Sequence, residues 1–177
     1  MNPTPSSALI DVSALLLYRD DEDSILPAVQ ALNSAFAPAA ISLEIIPIDL
    51  GSGDNCNALM TLLPPMPASC ELRAPVHVAA HSLFAPALRE AHGRVLCVLD
   101  AAAAIASQGE LVAAYGRVAA RACDALRVAP NCLMLRRDRN ERAMRSLFGV
   151  ATAIHPRLVL AMKARGRNVA AAPQPAD

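Results

Sequence analysis

Three apolar runs of strand length, each closing on acid, constrain this chain more than any other feature. They are VSALLLY with RDDED behind it (Val12–Asp23), LEIIPID with LGSGDN behind it (Leu43–Asn55), and RVLCVLD (Arg94–Asp100). Between the first two, Ile25, Val29, Leu32 and Phe36 recur at the spacing of one helix face, with Asp23 or Ser24 as N-cap and Pro27 in the first turn. Strands that alternate with helices at this spacing pair in parallel through right-handed crossovers. The expected fold is therefore α/β, a mostly parallel sheet covered by helices.

The pattern continues along the chain. The second strand is predicted over Ile41–Ile48 and a short helix over Asn57–Leu63, stopped by PPMP. A strand over Glu71–Ala79, a helix over Leu83–His92 and a strand over Arg94–Leu99 follow, then a long helix from about Gln108 to Leu126. A strand at Cys132–Leu135 and one or two helices complete the chain. At 177 residues the length suits one domain with a real core. Its expected limits are 12–168, with a flexible stretch at 1–11 and a disordered tail at 169–177.

Charge and composition exclude several functions. Lysine plus arginine equal aspartate plus glutamate at 16 each, so no general field draws nucleic acid or an anionic membrane. Aromatic residues make up only 3% and tryptophan is absent, which argues against stacking platforms for single strands. No run approaches the ~20 apolar residues of a membrane span, and MNPTPSSALIDVS lacks the basic start of a secretory signal. A cytoplasmic location is expected. The cysteines Cys56, Cys70, Cys97, Cys123 and Cys132 are odd in number and form no C-x-x-C pair, which points to reduced thiols.

An aspartate at the end of a strand, followed by Gly51-Ser52-Gly53 and Asp54, has a chemical use in such a sheet. Ligands bind beyond the carboxyl ends of the strands, where carboxylates and turn amides surround a nucleotide. The order of motifs resembles the GT-A fold nucleotide-sugar glycosyltransferases, in the broad inverting family that includes the polyprenyl-phosphate sugar transferases. Glu44, Ile45, Ile46, Asp49, Gly51, Ser52 and Asp54 stand where that family has E-I-I-V-V-D-D-G-S-x-D. ALREAHGRVLCVLDA resembles the helix, A-x-G and strand that lead into its D-x-D, and RRDRNERAMRSLF resembles its arginine-rich stretch. The resemblance spans Val12–Phe148.

What the resemblance implies is a GT-A-like three-layer sandwich, shortened at its C-terminal side. It implies transfer of a sugar from a nucleoside diphosphate donor to a lipid phosphate or glycan acceptor, as in cell-envelope polysaccharide synthesis, near the inner face of the membrane. Asp20, Asp21, Asp49, Ser52 and Asp54 would bind the nucleotide. Asp100 would face a divalent ion, Mg²⁺ or Mn²⁺, and Arg136, Arg137 and Arg139 the diphosphate. The chain departs from the family in ways that bear on these roles. Leu17 replaces the proline of P-x-Y-N-E, Arg19 its tyrosine, and Leu50 the second aspartate of the D-D pair. D-x-D has become Asp100-Ala101-Ala102, one carboxylate where the family has two. These departures motivate a second expectation, a catalytically inactive module that binds nucleotide or a protein partner.

Simpler alternatives stand beside these. His77 and His81 share a face, as metal ligands would, but no third ligand has a recognisable spacing. The acidic cluster after the first strand is similar to that of receiver domains, though Asp100 comes too late for their phosphoacceptor and the only lysine is Lys163. The arginine run also reads as one polar helix face, and Cys56 has no histidine or arginine placed by sequence to activate it.

Overall fold

The computed structural model describes residues 10–63, 66–77, 85–139 and 168–171. Within them the chain forms β1 (Val12–Tyr18), α1 (Glu22–Phe36), β2 (Leu43–Asp49), α2 (Cys56–Thr61), β3 (Cys70–Leu72) and β4 (Val76–His77). Then come α3 (Ala85–Glu90), β5 (Val95–Asp100), α4 (Ala101–Ala106), α5 (Leu111–Ala119), β6 (Ala125–Ala129), β7 (Cys132–Arg136) and β8 (Val169–Ala171). Residues 137–139, directly after β7, are helical, and the rest of the C-terminal helices expected there and the stretch 1–9 lie outside the described residues.

The strands make one sheet in the order β3-β2-β1-β5-β7-β6-β8, with β4 also against β2. The first strand is thus central, between β2 and β5, and parallel to both. Strand β7 runs antiparallel to β5 and to β6, which makes the sheet mixed. Side chains alternate across it as the pleat requires. Val12, Ala14, Leu16 and Tyr18 face a core shared with α1, α2, α4 and α5. Leu15 and Leu17, with Ile46, Ile48, Leu96 and Val98, face a second core with α3. Helices on both faces give the three-layer sandwich.

Local chemistry explains where the elements stop. The predicted apolar stripe of α1 is its buried face: Ile25, Val29, Leu32 and Phe36 are all 0% exposed. The helix begins earlier than expected, however, with Asp21 rather than Asp23 or Ser24 at the N-cap and Pro27 in its second turn. The strand predicted over Glu71–Ala79 is broken into β3 and β4. Odd-numbered residues of β2 bond on that side, as the Leu43 amide to Ser69 and the Ile45 carbonyl to Arg73 show. Pro47 falls in the same series with no N–H to give, so the ladder is interrupted there.

The helix expected to run to Leu126 ends at Ala119. Arg121 adopts left-handed φ (63°), and the Ala122 amide bonds back to the Arg117 carbonyl, a Schellman-type stop made without glycine. Strand β6 takes Ala125 and Leu126, the last two residues that the sequence reading gave to that helix. The tail expected to be disordered from 169 instead contributes β8, parallel to β6 from Ala125↔Val169 to Arg127↔Ala171.

One buried charge ties the amino edge of the sheet together. Glu44 is 0% exposed. Its Oε1 accepts from the Ser13 hydroxyl (2.5 Å), the Gly93 amide (3.1 Å) and the His92 amide. Its Oε2 pairs with Arg73 at 3.3 Å and approaches His92 Nδ1 at 3.2 Å. Burial pushes its pKa up, but the donors outweigh burial and hold it below the ordinary range. Gly93 is required for this approach, because a Cβ there would lie 2.4 Å from the Ser13 nitrogen. The A-x-G that ends α3 in the sequence is thus the partner of the glutamate in LEIIPID.

Candidate functional site

The carboxyl ends of β1 and β2 lie side by side, with Tyr18 in register with Asp49. Past them the chain makes two turns, Arg19-Asp20-Asp21 and Leu50–Asn55, and the turns are bonded to each other. Asp20, in left-handed conformation at φ 53°, accepts from the Gly53 amide at 2.7 Å, and its own amide faces the Ser52 hydroxyl at 3.3 Å. Asparagine and aspartate tolerate that conformation better than most residues. Asp21 accepts from the Arg19 amide at 3.1 Å.

Asp49 holds the second turn closed. Its Oδ1 accepts from the amides of Gly51 (3.0 Å) and Ser52 (2.8 Å), and its Oδ2 from the Asn57 side chain (3.0 Å). The Asn57 carbonyl in turn accepts from the Tyr18 hydroxyl at 2.6 Å. Asp49 is only 3% exposed. Burial raises its pKa, yet the bonds from Asn57, Ser52 and Gly51 prevail and bring it to about 2. Burial and the nearby Asp49 carboxylate push the Tyr18 phenol well up, so it stays a donor.

Asp54 does for α1 what the residues at its own start do not. Asp21 makes no side-chain cap bond, and the Glu22 amide is met by Asp54 Oδ2 at 3.0 Å. Asn55 reaches Glu22 at 3.2 Å. The second turn thereby caps the first helix across 32 residues, a long-range role that no local pattern announces. Asp54 also accepts from the Cys56 thiol. Burial and that carboxylate push Cys56 up to about 12, so it is not a nucleophilic thiolate.

Asp100 reaches the same edge on the other side of β1, in register with Leu17. It stands about 10 Å from Asp49, two strand spacings away. Each of its oxygens accepts one hydrogen bond: Oδ1 caps α4 through the Ala103 amide at 2.7 Å, and Oδ2 accepts from Asn131 at 2.7 Å. With alanines at 101 and 102, and no group of three His, Cys, Asp or Glu able to hold a metal among the described residues, these residues do not fit a divalent ion. The His77–His81 pair falls outside this test, since His81 lies outside the described residues.

The arginines require a correction. Arg136 is in register with Val95, at the amino end of β5, while Asp100 closes its carboxyl end. Five residues of strand, roughly 16 Å, separate the two edges. Arg136 forms a two-pronged pair with Asp138 (2.6 and 3.1 Å). Arg137 donates to the Leu88 and Ala91 carbonyls at the end of α3, and Arg139 lies 3.8 Å from Asp124. These arginines cannot share a ligand's diphosphate with the acidic edge. Among the described residues the cation at that edge is Arg19, which the sequence reading passed over. Its Nε donates to the Leu50 carbonyl at 3.1 Å, and its guanidinium lies over Gly51.

No family model matches the sequence, and no curated protein matches it. Solved structures do. A mannosyltransferase from Pyrobaculum calidifontis, in complex with GDP-mannose and Mn²⁺, superposes with a TM-score of 0.70 at 15% identity, over 95% of this chain and 56% of that one. TarS from S. aureus gives 0.63 at 13% identity, over 94% and 59%. The chain has the GT-A fold. The GT-A likeness extends to glucosyl-3-phosphoglycerate synthase from Mycobacterium tuberculosis in complex with phosphoglyceric acid (TM-score 0.62, 13% identity, 92% and 69%). The chain spans less than two thirds of the first two GT-A structures. No helix among its described residues is long and apolar enough to cross a membrane.

Proposed function

We propose that the carboxyl edge binds a nucleoside diphosphate sugar, and that the protein serves glycosyl transfer to a lipid phosphate or glycan acceptor, in the cytoplasm or against the inner face of the membrane. The observation that carries this reading is the convergence of Asp20, Asp21, Asp49, Ser52 and Asp54 on two interlocked turns at the end of β1 and β2. Base N–H and ribose O–H groups are donors, so an edge of carboxylates is complementary to a nucleoside. Asp20 and Asp21, on the exposed turn, accept from the ribose, and Asp49 shapes the turn against which the base lies. A diphosphate is not complementary to such an edge. Its countercharge on this reading comes from Arg19, not from Arg136, Arg137 or Arg139.

A second reading, binding of nucleotide or a protein partner without turnover, is favoured by Asp100. Its carboxylate is committed to Ala103 and Asn131, and no step is assigned to a metal ion here. Calorimetric titration of UDP, GDP and their sugar conjugates, with and without Mn²⁺, tests both. Wild type is expected to bind at least one nucleotide, and Asp20→Ala to weaken it about tenfold, as loss of a charged acceptor does. Absence of binding at millimolar concentration would overturn the reading. Binding with no sugar transferred or hydrolysed would select the second.

A further inference from the structure

At the amino edge of the sheet, behind the ends of β5 and β7, lies a cleft of about 480 Å³ whose wall carries Arg94, Arg121, Arg136 and Arg137. Among the described residues, Asp138 pairs with Arg136 and also attracts Arg121, Asp124 attracts Arg136, and Asp11 pairs with Arg94. Three of the guanidinium groups are fixed. Arg136 is held by Asp138, Arg137 by the last carbonyls of α3, and Arg94 by Asp11 (2.6 Å) and the Tyr115 hydroxyl (3.4 Å). Among the described residues, the hydrogen bonds of Arg94 run through one nitrogen, Nη2, of a fork that carries five N–H donors. Cations already held in place lose little side-chain freedom when an anion arrives.

Arg121 is different. Its side chain makes no hydrogen bond among the described residues and is attracted to Asp138 only at longer range, and the residue occupies the left-handed position after α5 where glycine is favoured. The local fold gains nothing from an arginine there. The helix-end carbonyls beside it are met by backbone amides, Gly116 by Ala120, Arg117 by Ala122 and Val118 by Arg121, so the side chain is not needed to cap them.

We propose that this cleft binds a phosphate-bearing anion, with Arg121 and Arg94 as its contacts and Arg136 and Arg137 as the fixed charges behind them. A volume in the range of ligand pockets and several planar guanidinium forks on one wall are features that phosphate recognition uses. The cleft is not the donor's diphosphate site, because it opens on the opposite edge from Asp49 and Asp100. It does not depend on the function proposed above.

The test is calorimetric titration of pyrophosphate into the full chain at low salt, wild type against Arg121→Gly, with thermal unfolding of both. Wild type is expected to bind, and Arg121→Gly to bind about tenfold more weakly, the loss expected for a charged hydrogen bond. Without ligand, Arg121→Gly should melt no lower than wild type, because glycine suits the left-handed site. A structural role for Arg121 would give the reverse pattern. Vesicles of phosphatidylcholine doped with phosphatidic acid separate a lipid headgroup from a free phosphate: binding to vesicles but not pyrophosphate assigns the headgroup, and the converse a soluble ligand. Equal pyrophosphate affinity in both proteins, or binding of neither probe, would overturn the proposal.

Discussion

A carboxylate that accepts from Gly51, Ser52 and Asn57 at once is part of the scaffold whatever else it meets. Asp49 titrates at about 2 in the folded chain against an ordinary 3.8. Its contribution is therefore complete above about pH 4 and fades as the pH falls toward about 2, a loss of about 2 kcal/mol. Urea denaturation of Asp49→Asn should show lower stability at pH 7 and a gap to wild type that closes in acid. A constant gap would deny the charge its role. Gly93 makes a harder demand. In Gly93→Ala the new methyl meets the Ser13 nitrogen and hydroxyl and disrupts the hydroxyl's bond to Glu44, so a loss of about 3 kcal/mol or failure to fold is expected. A denaturation midpoint near wild type would mean the amino edge can open at little cost. Both residues stood in recognisable motifs. The sequence shows which residue types recur there, and the bonds they make over 80 residues of chain belong to the fold.

Elements behaved as their local chemistry directs, and the misreadings share that origin. The strand β1 and the buried face of α1 were legible because an unbroken apolar run and a helical stripe have few other interpretations. Strand β6 was not, because ALRVA is composed largely of good helix formers and the stop before it uses Arg121 where a reader looks for glycine. The reversal of β7 had the larger consequence. In an all-parallel sheet Arg136 would end beside Asp49 and Asp100; run antiparallel, the same strand delivers it to the far edge. Asp100 itself offers a test at this scale. Asp100→Ala should cost about 1–2 kcal/mol by uncapping α4 and stranding Asn131, while Asp100→Ser, which keeps a capping oxygen, should cost less. Mn²⁺ should leave the wild-type melting temperature where it was. A rise that Asp100→Ala abolishes would restore the carboxylate to metal binding.

For the whole molecule, stability should be graded across the sheet. Strands β1, β2, β5 and β7 are buried almost throughout, whereas β3 and β4 are short and edge-placed. Hydrogen exchange should be slowest in the four central strands and fastest in the turn 50–55 and in β3–β4. Early exchange in β1 would contradict its central position. That position also sets a problem of timing. Strand β1 leaves the ribosome ahead of β2 and finds it soon after, but its other edge waits for β5, and the Arg94–Asp11 bond at that seam spans 83 residues. Until then the nascent chain carries an apolar ribbon with one open side, and β6 stays open longer still, until Val169–Ala171 have been made. The sheet can close only once Val169–Ala171 have been made, so a chaperone that shields β1 in the interval would raise the yield of folded protein.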